Sequence, residues 1–257
     1  MPRLDHFAKP FNRVGWFIPP YVSMGFLSSL AQEINRKGDG FGQHDLERIL
    51  AHIYSPENLA PMVVERYPIV PCIGDYKIII AESVQAHFLG MDHIAVAGLM
   101  PVIEGAGKKL AESRKVGFKG ATSGFANLAN DCKDEVLAKN IGAVDEILSM
   151  MDSFIEFSEK HLYIGSTKYS LLDKTNRHGI LHGAYTDLDY GRPINFYKAI
   201  AAVDFLCFIA SLRASISSFA PNATERSDLL VKHYRMLVAA AKNFHFTPTK
   251  WFDTSAK

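Results

Sequence analysis

Cysteine is scarce in this sequence: Cys72, Cys132 and Cys207 are the only three in 257 residues, and no two stand in a C-x-x-C spacing. An odd, widely spread set excludes a disulfide framework and a cysteine-built zinc site, and it suits apolar packing in a reducing cytoplasm. Excess charge is missing too, with 28 Lys and Arg against 27 Asp and Glu. The overall balance therefore does not announce nucleic acid, although a local basic patch can sit inside a neutral total. Long hydrophobic runs are absent: the most apolar stretch, residues 199–212, falls short of the ~20 residues of a membrane span and contains Asp204. It reads as a core helix, and no membrane partner is expected. Arg3, Lys9 and Arg13 precede a stretch broken by Pro19 and Pro20 with no small-residue cleavage pattern, so no export signal is read and a cytoplasmic location is expected. Strand signals are equally scarce; residues 69–70 and 77–80 are short β-like runs, and the second merges into a helical period.

What is present is apolar residues at helical spacing, with a hydrophobic content of 48%, enough for a large core. Pro10, Pro19, Pro20, Pro56, Pro61, Pro68 and Pro71 punctuate the beginning, which reads as an N-terminal helical extension over residues 1–72. Within it, helices are predicted near 21–36 and 43–54; the second starts at Gly42 to Asp45 and carries Leu46, Ile49, Leu50 and Ile53 on one face. A helical bundle is predicted over residues 73–257. It opens with a hairpin: Ile78, Ile79, Val84, Phe88 and Leu89 suit one helix, and Asp92 reads as the cap of the next, which runs to about Arg114. Gly105 and Gly107 weaken that second arm by about 1 kcal/mol each relative to Ala, so close packing or a ligand must require small residues there. The segment 117–124 is rich in glycine and flanked by Lys115 and Lys119. It lacks the terminal GK[ST] of a phosphate-binding loop and reads as a connection. Further helices are expected over 125–138 and 141–163, from Pro193 to about Phe219, and over 224–243.

The functional signal is concentrated in Asn176-Arg177-His178-Gly179-Ile180-Leu181-His182-Gly183. Arginine is permanently cationic and forks onto phosphate; histidine transfers protons near neutrality. Together they suit phosphodiester cleavage. If Asn176 caps a helix, Arg177 and His178 occupy its first turn, where free amide hydrogens and the helix dipole attract an anion. His178 and His182 then share a face, whereas Arg177 and His182 are separated by about 140° around the axis. The arginine's length must bridge that gap, or a second subunit must help.

Arg177, its polar neighbour His178 and the downstream His182 resemble the Arg-x4-His signature of the HEPN superfamily. A second segment, SVQAHFLGMDHIAVAGLMPVIEG over residues 83–105, is similar to the helical hairpin of uncharacterised HEPN-type proteins, whose second helix reads roughly L-x-P-x-I-E-G; Pro101, Ile103, Glu104 and Gly105 match it. The resemblance covers roughly residues 75–215. It implies an all-α, multi-helix bundle of HEPN type, usually a homodimer with two motifs facing one cleft. It also implies an endoribonuclease that needs neither metal nor cofactor, acts on RNA as a toxin or phage-defence effector, and answers to an antitoxin or regulatory partner. Other members have lost cleavage and serve as RNA-binding or protein-interaction modules, so that alternative stays open. On this reading Arg177 neutralises the scissile phosphate and His182 moves the proton. Asn176 and His178 orient the phosphate or the ring, and Glu104 pairs with Arg177 or fixes a histidine tautomer. A structural alternative also remains, in which Arg177 and Glu104 merely pair inside the bundle and His182 is a satisfied core residue.

Competing chemistry has less in its favour. His178 and His182 have the i, i+4 spacing of paired metal ligands, but the zincin pattern needs Glu where Gly179 stands. Some HEPN proteins carry a modified tyrosine two residues after the motif histidine; that position is Ala184 here, with Tyr185 one further on. No G-x-S-x-G elbow or G-x-G-x-x-G turn is present. The aromatic tail, Phe244, Phe246, Trp251 and Phe252, has residues that stack on bases, though such a tail more often packs on its own domain.

Overall fold

A computed structural model describes residues 4–243. The described chain is all α-helical, with no strand: α1 Asp5–Arg13, α2 Met24–Lys37, α3 Gln43–Ile53, α4 Pro56–Pro61, α5 Lys77–Phe88, α6 Asp92–Ser113, α7 Ala121–Lys139, α8 Val144–Phe157, α9 Arg177–Leu181, α10 Pro193–Ser211 and α11 Glu225–Asn243. The aromatic tail beyond Asn243 lies outside the described residues.

The axis of the fold is α10. Its first residue is proline, whose fixed φ suits a helix start, and every residue from Ile194 to Ser211 is buried. By length and composition α10 would pass for a membrane span, but its whole apolar window is enclosed by the fold, which makes it a core helix. The hairpin of α5 and α6 packs on one side of it and α3 on another; α7 pairs with α8, α11 covers α4 and α5, and α1 lies on α2 and α8. Apolar side chains from Leu4, Phe7 and Trp16 to Tyr234 join one continuous core, so the N-terminal helices share the core of the bundle.

Local chemistry explains most helix ends. Ser23 caps α2 by accepting from the Phe26 amide, and Gly38 closes it at φ 53°. Asp45 reaches back to the Gly42 amide at 3.2 Å at the head of α3. Met91, rather than Asp92, is the cap of α6. Asp92 is its first residue and hydrogen-bonds His87 Nδ1 at 2.6 Å, while the His87 ring stacks on Phe196 at 4.0 Å, which pins the hairpin to α10. Gly105 and Gly107 are required by packing: a Cβ at the first would collide with the Tyr76 hydroxyl, and at the second with the Phe125 ring.

Several elements differ from the sequence reading. α10 ends at Ser211, short of Phe219, because the buried Arg66 guanidinium takes the carbonyls of Ser217 and Phe219 and holds that segment out of helical register. α8 begins at Val144 after Gly142 in a left-handed turn at φ 59°, and continues past Phe157 as a π turn, Ser158–Leu162. α1 and α4 form despite Pro10 and Pro61 inside them, since their buried apolar residues outweigh the propensity cost.

Candidate functional site

The motif sits on α9, a single turn held between two loops and packed against α6. Asn176 is its N-cap. The fully buried Asn176 side chain accepts from the Gly179 amide at 2.8 Å and donates to the carbonyls of His161 and Ile164 at 3.1 and 2.7 Å. All three bonds are internal, so Asn176 fixes the turn and is not a group aimed at solvent. One of the amides that a helix start would offer an anion is thereby taken, and a helix of five residues has little dipole to add.

Beneath this turn lies a network that the sequence did not announce. Lys198 of α10 and Asp173 form a salt bridge of 2.8 Å with both side chains fully buried. Lys198 also donates to Gln43 Oε1 at 2.9 Å, and Asp173 accepts from the Tyr169 hydroxyl at 2.9 Å and from Thr175. Burial pushes the Asp173 carboxyl up, but the Lys198 charge and the hydrogen bonds around it outweigh that and leave its pKa below the ordinary carboxylate value. Thr175 in turn bonds Asn195. Residues 173–176 are thus tied to the core helix and to the end of α8, and the side chains of α9 are presented from a rigid base.

The motif side chains do converge. Arg177 Nη2 lies 2.8 Å from Glu104 Oε2 on α6, and Arg177 Nη1 lies 2.9 Å from His182 Nε2. The angular gap between Arg177 and His182 closes within one chain because α9 ends at Leu181 and His182 leaves the helix as its C-cap. A guanidinium only donates, so Nε2 of His182 accepts and the ring proton resides on Nδ1. His182 is exposed and stacks on His178 at a centroid distance of 5.6 Å and an angle of 15°. Burial, then the nearby Arg177 and His182, hold the His178 pKa below its usual value, against Glu104 and a backbone hydrogen bond at Tyr163.

One member of the site has no counterpart in the sequence reading. Tyr163 crosses the His178 ring edge-on at 6.4 Å, and its hydroxyl is buried without a hydrogen-bond partner among the described residues, as is Arg177 Nε. Burial and the Glu104 carboxylate push its phenol well above its ordinary value, against the pull of Arg177. No local signal marks Tyr163, which lies fourteen positions before Arg177 and reaches the site through the π turn after α8. Tyr185 packs its ring on Gly179, where a Cβ would collide, and its hydroxyl donates to the Ser166 carbonyl at 3.4 Å, so Tyr185 has a packing role and Gly179 cannot be larger.

Among the described residues no group of three or more His, Cys, Asp or Glu side chains is arranged to hold a metal ion. No protein-family model, curated protein or solved structure matches the chain. The arrangement of Glu104, Tyr163, Arg177, His178 and His182 stands on its own geometry: a permanent cation clamped by a carboxylate and touching an exposed imidazole.

Proposed function

We propose that this chain is a metal-independent endoribonuclease in which Arg177 and His182 carry the reaction. The observation behind this reading is the 2.9 Å contact between Arg177 Nη1 and His182 Nε2 at an exposed position, with Glu104 holding the other arm of the guanidinium. A phosphodiester approaching Arg177 exchanges the imidazole for a phosphate oxygen as the guanidinium's partner and frees Nε2 as a base. His182 takes the proton of a ribose 2'-hydroxyl, the 2'-oxygen attacks phosphorus, and the 5'-oxygen leaves as its bond breaks. The products are a 2',3'-cyclic phosphate and a 5'-hydroxyl. The proton for the leaving oxygen comes from the motif of a second protomer, which is the reason to propose a homodimer. Asn176 and His178 act as positioning residues, and Glu104 orients Arg177.

The resemblance to HEPN proteins supports this chemistry and suggests a toxin or phage-defence role in the cytoplasm, under the control of an antitoxin or other regulatory partner. A second reading, a non-cleaving RNA-binding or interaction module, is favoured by one observation: Glu104 and His182 already occupy both terminal nitrogens of Arg177. The two separate in one experiment. Purified protein is incubated with structured and single-stranded RNAs over a range of salt, and termini are mapped. Cleavage leaving 2',3'-cyclic phosphates, reduced about 10²–10³-fold in Arg177→Ala and in His182→Ala, supports the enzyme. Intact RNA under every condition sinks it, and retained RNA binding then favours the module.

A further inference from the structure

The core helix α10 carries one basic and one acidic side chain, and the fold explains only the first. Lys198 has Asp173. Asp204, nearly two turns further on and 6% exposed, has the Tyr67 hydroxyl at 2.8 Å, and no ion pair reaches it among the described residues. Arg66 is near but commits its terminal nitrogens to the Ser217 and Phe219 carbonyls. Burial pushes the Asp204 carboxyl up to about 7, against the Tyr67 hydrogen bond and the nearby Arg66 charge, an unfavourable position for an acid in a helix that is otherwise apolar around most of its circumference.

Asp204 also lines a cavity of about 510 Å³, bounded by the segment after Pro20, the end of α3, α4 and the loop at 220–223. Tyr21 lines the same cavity. Its hydroxyl is buried without a partner among the described residues, and its backbone is held at φ 64°, a strained conformation for a tyrosine. The remaining wall is mixed: Phe26, Tyr54, Leu59 and Met62 supply apolar and aromatic surface, and polar residues such as His52 and Glu57 stand among them. The volume lies in the range of small-molecule sites, ~300–1,000 Å³. A buried carboxyl without an ion pair, an orphan phenol hydroxyl and backbone strain thus meet at one cavity away from the Arg177 site.

We infer that this cavity is a binding site for a small organic cation, an amine or amidinium on an apolar body, with Asp204 taking the charge, the Tyr21 hydroxyl accepting a hydrogen bond from the cationic group, and Tyr54 facing the body. The ligand class rests on complementarity: the cavity offers an acid without an ion pair among the described residues and aromatic rings, and Arg66, whose charge reaches Asp204 from nearby, gives both terminal nitrogens to backbone carbonyls and lies over the Tyr21 ring at 5.6 Å. The inference is independent of RNA cleavage.

Benzamidine and phenethylamine, with benzamide and 2-phenylethanol as neutral counterparts, test it by titration calorimetry on the full chain. At least one cation is expected to bind saturably and at least about 10-fold more tightly than its neutral counterpart, a difference of ~1.4 kcal/mol. Asp204→Asn, which keeps an acceptor for Tyr67, is expected to abolish that difference, and Tyr21→Phe to weaken binding about threefold, in proportion to one lost hydrogen bond. Ala223→Trp, an exposed rim position, closes the cavity without touching Asp204 and is expected to block the cation even if Asp204→Asn fails to fold. No saturable binding of either cation up to about 10 mM, equal binding of cation and neutral counterpart, or unchanged cation binding in Ala223→Trp overturns the inference.

Discussion

Two ion pairs, Lys198–Asp173 and Arg177–Glu104, have the same 2.8 Å separation and opposite surroundings. The first is 0% exposed at both side chains; the second is 19% and 35% exposed. The first holds the loop to α10, where charges have left water and must be satisfied by each other and by Tyr169, Thr175 and Gln43. The second is only partly buried and in contact with the exposed His182, where solvent screens it more and the guanidinium can change partners. Geometry alone does not tell a fastening from a reactive group; burial does, because it sets what happens when one partner is removed.

The largest expected effect breaks the buried side of this comparison. Lys198→Met leaves Asp173 without its counter-charge in the interior and is expected to lower unfolding free energy by about 3–5 kcal/mol in urea titrations, with partial recovery in the double variant carrying Asp173→Asn. On the exposed side the signature inverts. Arg177→Ala is expected to change stability by less than about 1 kcal/mol while RNA cleavage falls about 10²–10³-fold, and a stability loss like that of Lys198→Met would erase the distinction. Asn176 lies between the two regions. Asn176→Ala removes the cap and two buried donors and is expected to cost about 1–2 kcal/mol, whereas Asn176→Asp keeps the acceptor for Gly179 but sets a carboxylate oxygen against the His161 and Ile164 carbonyls and is expected to cost at least as much.

At any one pH step the change is small for the group that responds to acid. His161 lies beside the buried pair, donates from Nε2 to the Asn12 carbonyl at 3.2 Å, and has its pKa lowered to about 4 by burial and then by the Lys198 charge. Below its ordinary value of 6.5 the unfolded chain binds a proton that the folded chain refuses, so stability from this group is complete above about pH 6.5 and is lost as pH falls toward 4. The difference in unfolding free energy between the parent chain and His161→Asn is therefore expected to grow with pH across that window, by at most about 1.4 kcal/mol per unit. A flat difference would mean that the imidazole is as well solvated folded as unfolded.

Most of the helical architecture is legible in the sequence, because long amphipathic or apolar segments with caps and flanking glycine or proline leave little choice of backbone. α2, α3, α5, α6, α7, α8, α10 and α11 all carry such signals, and their ends agree with the structure within a few residues apart from the shortened α10. The illegible parts are decided at a distance. Residues 212–219 have an acceptable helical pattern, and a guanidinium from residue 66 pulls two of their carbonyls away. α1 and α4 carry prolines that argue against them locally, yet their apolar residues join the shared core. At the candidate site, the motif residues and Glu104 are recognisable by type and spacing. Tyr163 and the Asp173 network are not, since a tyrosine, an aspartate and a lysine scattered over thirty-five positions acquire meaning only when the loop folds back on α10.

The sequence by itself determined that this chain would be helical, that residues 176–183 would bring an arginine and two histidines together, and that Asn176 had the right side chain to start a turn. Those are properties of one or two turns of chain, fixed by spacing and by hydrogen bonds a few residues long. Only the tertiary structure decided that α10 would be buried on every side, that Lys198 would meet Asp173, and that Arg177 would touch both Glu104 and His182. The reason is dielectric and geometric: whether a charge acts as a fastener or as a reagent depends on how much water its neighbours leave around it.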